Sequence, residues 1–162
     1  MANNQTYTGS YTPNTTGGYR LGGGGGVLTM GSTNALTGNR AVTIVSNASV
    51  VLAAGNSVTG TTTVSSGATL TFGTGVAGQD GSVASASIAN AGTVVFNNAG
   101  STTLPAVISG AGGVTQNGPG QTTLTSPQTY TGTTTVSGGT LTLAAGNGTL
   151  AGNRTVTVNG GT

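Results

Sequence analysis

The chain has no cysteine, histidine, tryptophan, lysine or glutamate, and only 2% of its 162 residues are charged. Globular chains carry roughly 25%. The charged residues are Arg20, Arg40, Arg154 and Asp80. Each absence removes a class of function. Without cysteine there is no disulfide staple and no thiol chemistry. With one carboxylate and no histidine, neither a metal cluster nor a pair of acid–base groups can be assembled. Glycoside hydrolysis by two carboxylates falls with it. Serine and threonine abound, but a hydroxyl nucleophile needs a histidine or lysine base. Three scattered arginines cannot displace counterions from a nucleic acid. No run of 18 apolar residues spans a membrane as a helix. The string GGGGG (22–26) lacks the Lys-Ser/Thr and the helix of a phosphate loop. The expectation is a protein that is not an enzyme, with no cofactor or metal, no nucleic-acid partner and no membrane insertion.

What is present is threonine, valine, alanine and 32 glycines in a regular arrangement. Short alternating runs recur: AVTIV (41–45), SVVL (49–52), TTTV (61–64), ATLTF (68–72), TVVF (93–96), TTTV (133–136), TLTL (140–143) and TVTV (155–158). Successive strand side chains point to opposite faces, so each run offers one aliphatic and one threonine face. Thr134, Val136, Leu141 and Leu143 are expected inward, and Thr133, Thr135, Thr140 and Thr142 outward. Between the runs lie SSG, SGG, NAG, GAGG, NGPG and AAGN, all turn formers. This β-branched, alternating pattern also argues against the disorder that so much glycine would otherwise suggest. Asp80, in GQDGS, reads as a turn residue.

Runs of three to five residues and 4% aromatics suit a solenoid better than a sandwich. Coils of about 20 residues at ~4.8 Å each would give about eight coils and a rod about 40 Å long. A longer repeat overlies this one. QTYTG occurs at 5–9 and at 128–132, and ALTGNRAVTIV (35–45) echoes TLAGNRTVTVN (149–159). The two ends therefore read as versions of one module. Arg40 and Arg154 share the place in GNR that suits a turn or cap.

SGAGG (109–113), GPGQTTL (118–124) and TYTGTTTVSGGTLTL (129–143) together resemble the passenger-associated strand repeat of bacterial autotransporters. The likeness is densest over 108–143 and extends more loosely over 89–162. It implies a right-handed parallel β-helix, exported and displayed at the cell surface or outside the cell. It implies a scaffold and no activity. The membrane barrel that ends an autotransporter has no counterpart here. The chain is short for a passenger, and MANNQTYTG lacks the basic and apolar parts of a secretory signal. An excised passenger piece and a small free-standing protein are both consistent with that.

The function expected is an extracellular structural subunit that stacks head to tail through open solenoid ends. Solenoid ends expose unpaired backbone groups, which natural proteins blunt with caps, charges or proline. No helix, lysine or glutamate blunts them here. Residues 1–26 are expected to form an extended segment with a glycine hinge, poised for donation to a neighbour, and 27–162 the solenoid body. The predicted subunit interface is Thr6, Tyr7, Thr8, Tyr11, Thr155, Val156, Thr157 and Val158. The partner is the chain itself, as a homopolymer, with cell-surface or matrix components as further candidates. The alternative is a piece of an adhesin passenger, with 75–91 as the adhesive loop. More remotely, threonine at alternate positions suits ice binding, although the motifs are unevenly spaced in the sequence.

Overall fold

A computed structural model describes residues 4–11, 13, 17–23, 25–144 and 155–161. Among these residues there is no helix. The strands are two to four residues long, and every strand pairing is parallel. The architecture is a β-solenoid of about seven turns.

One face is a continuous eight-stranded sheet. Its order is Gln5–Tyr7, Val27–Met30, Ser49–Leu52, Thr69–Phe72, Thr93–Phe96, Gly113–Gln116, Thr134–Val136 and Val156–Val158. Its register sets Gln5 on Leu28, then Val50, Leu70, Val94, Val114, Thr134 and Val156. Successive turns thus take 23, 22, 20, 24, 20, 20 and 22 residues. Several turns exceed 20 residues, so there are fewer than the sequence suggested. At ~4.8 Å per turn, the strands of this sheet span about 34 Å.

A second face carries Tyr19–Leu21, Val42–Ile44, Thr62–Val64, Ser87–Asn90 and Val107–Ser109. Two shorter sheets complete the coils. One pairs Gly55–Asn56 with Ser82–Val83, and the other stacks Ser101–Leu104, Gln121–Leu124 and Thr140–Leu143.

Alternation in sequence becomes columns in space. Val50, Leu70, Val94 and Val114 form one inward column of the long sheet, and Met30, Leu52, Phe72 and Phe96 begin another; all are buried. The Phe72 and Phe96 rings stack at 5.6 Å with 13° between their planes, an arrangement favourable beyond its buried area. Thr134 and Val136 point inward as expected, and Leu141 and Leu143 pack against the core half-buried. Thr133 is exposed, and Thr135, Thr140 and Thr142 are half-exposed.

Inward polar side chains satisfy the backbone at the corners. The Asn98 Oδ1 accepts from Gly81 N at 2.9 Å, and its Nδ2 donates to Gly81 O at 3.1 Å. Gln128 Oε1 accepts from Ile108 N at 2.7 Å, while its Nε2 donates to Ala106 O and Ser126 O. One corner is closed by stacked glycines. A Cβ on Gly112 would stand 2.3 Å from the Gly92 carbonyl oxygen, and one on Gly132 would stand 2.3 Å from that of Gly112.

The N-terminal segment, expected as a tether, forms the first coil of the same stack. Gln5–Tyr7 pairs with Val27–Met30 of its own chain, and Tyr19–Leu21 with Val42–Ile44. Tyr19 and Leu21 are part of the core, so position 26 does not divide two bodies. Gly22 turns a corner: it has φ +103, and a Cβ there would stand 2.1 Å from that of Ala48.

The long repeat also maps differently from the sequence reading. Gln5–Tyr7 lies on the long sheet, whereas Thr129 N and Tyr130 N bond Ile108 O on the second face. Val42–Ile44 belongs to the second face and Val156–Val158 to the long sheet. Identical words therefore occupy different faces, because turn lengths, which differ from coil to coil, set where each falls.

Candidate functional site at the two rod ends

The eight residues singled out for the interface fall in two groups, one at each end of the long sheet. At one end, Thr6, Tyr7, Thr8 and Tyr11 are all exposed. At the other, Thr155, Val156 and Val158 are exposed and Thr157 is half-buried. Within one molecule the two groups are seven turns apart. Among the described residues, each terminal strand of this sheet has one neighbouring strand, so its outer edge offers free N–H and C=O groups.

The exposure of the valines follows from the columns. Val156 continues the column of Val50, Leu70, Val94, Val114 and Thr134, all buried. Val158 continues Met30, Leu52, Phe72, Phe96, Gln116 and Val136, also buried. Yet Val156 is 51% and Val158 57% exposed, because the column stops there. Among the described residues no further coil covers these two inward-column side chains.

At the opposite end the same two columns stop at Gln5, over Leu28, and Tyr7, over Met30. Tyr7 sits edge-on to Tyr11 at 6.3 Å, and Tyr11 lies 5.7 Å from Tyr19. The hydroxyl of Tyr7 donates to Ser10 O at 3.0 Å. Under these rings a cavity of about 190 Å³ is lined by Tyr7, Tyr11, Arg20, Leu21, Leu28 and Met30. The first strand is anchored by Asn4, whose Oδ1 accepts from Val27 N at 3.0 Å. Further along, Tyr11 N donates to Ala35 O at 2.9 Å.

Asp80 does more than occupy a turn. Its Oδ1 accepts from Ala99 N at 2.7 Å and Gly100 N at 3.2 Å, and its Oδ2 from Gly100 N at 3.2 Å. The carboxylate ties one coil to the next. The signal available in the sequence was the offset of 19 and 20 residues, one coil, to the NAG turn. Arg40 is half-buried in a turn closed by its own N–H on Gly38 O; Arg154 lies outside the described residues. Of the stretch expected as an adhesive loop, 82–83 and 87–90 are strands of the body. The turn before them is exposed, with Val76 at 54%.

A groove of about 410 Å³ is lined by Thr6, Thr8, Thr29, Gly31, Gly78 and Gln79 among others, with no ionisable group. It offers hydroxyls and an amide but nothing that moves a proton. No family model matches the chain, and searches of the curated proteins and of the solved structures find no match either.

Proposed function

We propose that the chain is a non-enzymatic structural subunit that stacks head to tail into a fibre outside the cell. The observation that carries this reading is the pair Val156 and Val158: two core positions more than half exposed at the end of otherwise buried columns. Covering them with another coil extends every column and pairs a free strand edge at once. The near absence of charge removes the repulsion that keeps other proteins monomeric. The N-terminal coil is the natural acceptor, through the outer edge of its own terminal strand Gln5–Tyr7. The exported, autotransporter-passenger-like setting is supported by the resemblance over 108–143, whose described strands are coils of the stack. Sedimentation velocity and electron microscopy of the purified chain test the reading. Filaments with a critical concentration are expected, and a stable monomer at high concentration overturns it.

A second reading, ice binding, is favoured by one observation. The uneven motif spacing is absorbed by turns, so the outward residues of the long sheet align. Thr6, Thr29, Val51, Thr71, Val95, Thr115, Thr135 and Thr157 form one register-locked, β-branched column. Threonine is also an ordinary residue on an outward strand face, which ranks this reading second. A thermal-hysteresis measurement decides it.

A further inference from the structure

We infer that the joint between two copies continues the long sheet in one register, with Val156, Thr157 and Val158 of one copy against Gln5, Thr6 and Tyr7 of the next. This rests on the head-to-tail reading and fixes which residues of the two ends meet. Three observations carry it.

The first is parity. Residues 5 and 7 stand in the inward columns at one end and 156 and 158 at the other, while 6 and 157 both stand in the outward column. A slip of one residue would turn the two valines to solvent and Thr157 inward, since side chains alternate along a strand. A slip of two residues would leave either Val156 or Val158 without a partner in the three-residue strand Gln5–Tyr7.

The second is the state of Tyr7. Burying a tyrosine ring is costly when its hydroxyl loses water without gaining a partner. The buried tyrosines here avoid that: Tyr19 donates to Thr37 O at 3.0 Å, and the Tyr130 hydroxyl bonds Thr134 Oγ1 at 2.6 Å. The exposed Tyr7 already has such a partner in Ser10 O. Its ring can be covered by Val158 of another copy with no orphaned donor, and the cavity beneath leaves it room to settle.

The third is charge. Neither terminal strand carries a charged residue, nor do residues 8–11 and 159–161 beside them. A second copy therefore meets no charged side chain on either terminal strand in this register; Arg20, which lines the cavity with Tyr7 and Tyr11, is the described charge near this end.

The absence of cysteine makes the test direct. Thr6→Cys and Thr157→Cys in one chain place two thiols in the outward column, on strands ~4.8 Å apart across the joint, within disulfide reach. Inside one molecule they are seven turns apart. Mild oxidation of filaments should give a ladder of covalent multimers on a non-reducing gel. The pair Thr8→Cys and Thr157→Cys is two residues out of register and should cross-link about tenfold less. Thr6→Cys with Thr29→Cys, adjacent within one chain, reports that the first coil is still folded by closing an internal bridge. If filaments form but the 8/157 pair cross-links as well as the 6/157 pair, or neither does, the register is overturned while head-to-tail stacking survives. If the unsubstituted chain forms no filaments, the stacking reading falls and the joint with it.

Discussion

Val158→Asp tests the rod-end reasoning most sharply, because Val76→Asp serves as its control. The two valines are nearly equally exposed, at 57% and 54%. As surface substitutions, both should leave the stability of the monomer within about 0.5 kcal/mol of the parent. They differ in where they sit. Val158 ends an inward column, whereas Val76 lies in a turn and belongs to no column of the sheets. Completing the burial of a half-exposed valine is worth about 1 kcal/mol, half of the ~1.5–3 kcal/mol for the whole side chain. An aspartate there loses that and must also be desolvated as an unpaired carboxylate, at several kcal/mol. Together these reach about 4 kcal/mol, or roughly a thousandfold rise in the critical concentration for assembly. Sedimentation at graded protein concentrations measures it, with thermal unfolding monitored by circular dichroism as the folding check. Val76→Asp should assemble like the parent. The reasoning is refuted if Val158→Asp assembles at the parental critical concentration, or if Val76→Asp is impaired to the same degree.

Two further outcomes concern the body. Asp80→Ala removes a carboxylate that accepts from Ala99 N and Gly100 N, leaving two part-buried donors unpaired. It should cost about 1–3 kcal/mol, seen as a fall of several degrees in the melting temperature; an unchanged melting temperature would show that solvent serves those donors equally well. Gly112→Ala forces a Cβ to within 2.3 Å of the Gly92 carbonyl oxygen, so the coils must separate locally. A loss of about 2 kcal/mol or more is expected in denaturant unfolding, whereas Gly17→Ala, with nothing within 4 Å, should be neutral. Equal effects at the two glycines would remove the steric argument.

The candidate site was legible only in outline. Low charge and the uncapped alternating strand at 155–158 pointed to the ends of a stack, and the eight residues named from the sequence do lie at its two ends. The sequence did not reveal that Val156 and Val158 are the last members of particular columns. That depends on which coil each strand joins, and turns of 20 to 24 residues leave no fixed period to count by. The Tyr7–Tyr11–Tyr19 cluster was also hidden: the two-residue strand period places no ring against another, and the contacts arise only in the folded first coil.

By itself the sequence determined the all-β class, the short strands and the inward sense of the aliphatic positions in the alternating runs. Those follow from the two-residue period of a strand and from turn-forming residues, both local properties. Only the tertiary structure decided face and neighbour. It put the two QTYTG words on different faces, gave Asp80 its partners one coil away and drew Gln5–Tyr7 and Tyr19–Leu21 into the first coil. Register along the stack is the accumulated sum of every turn length before it, so it is settled by packing between coils and not by any stretch read alone.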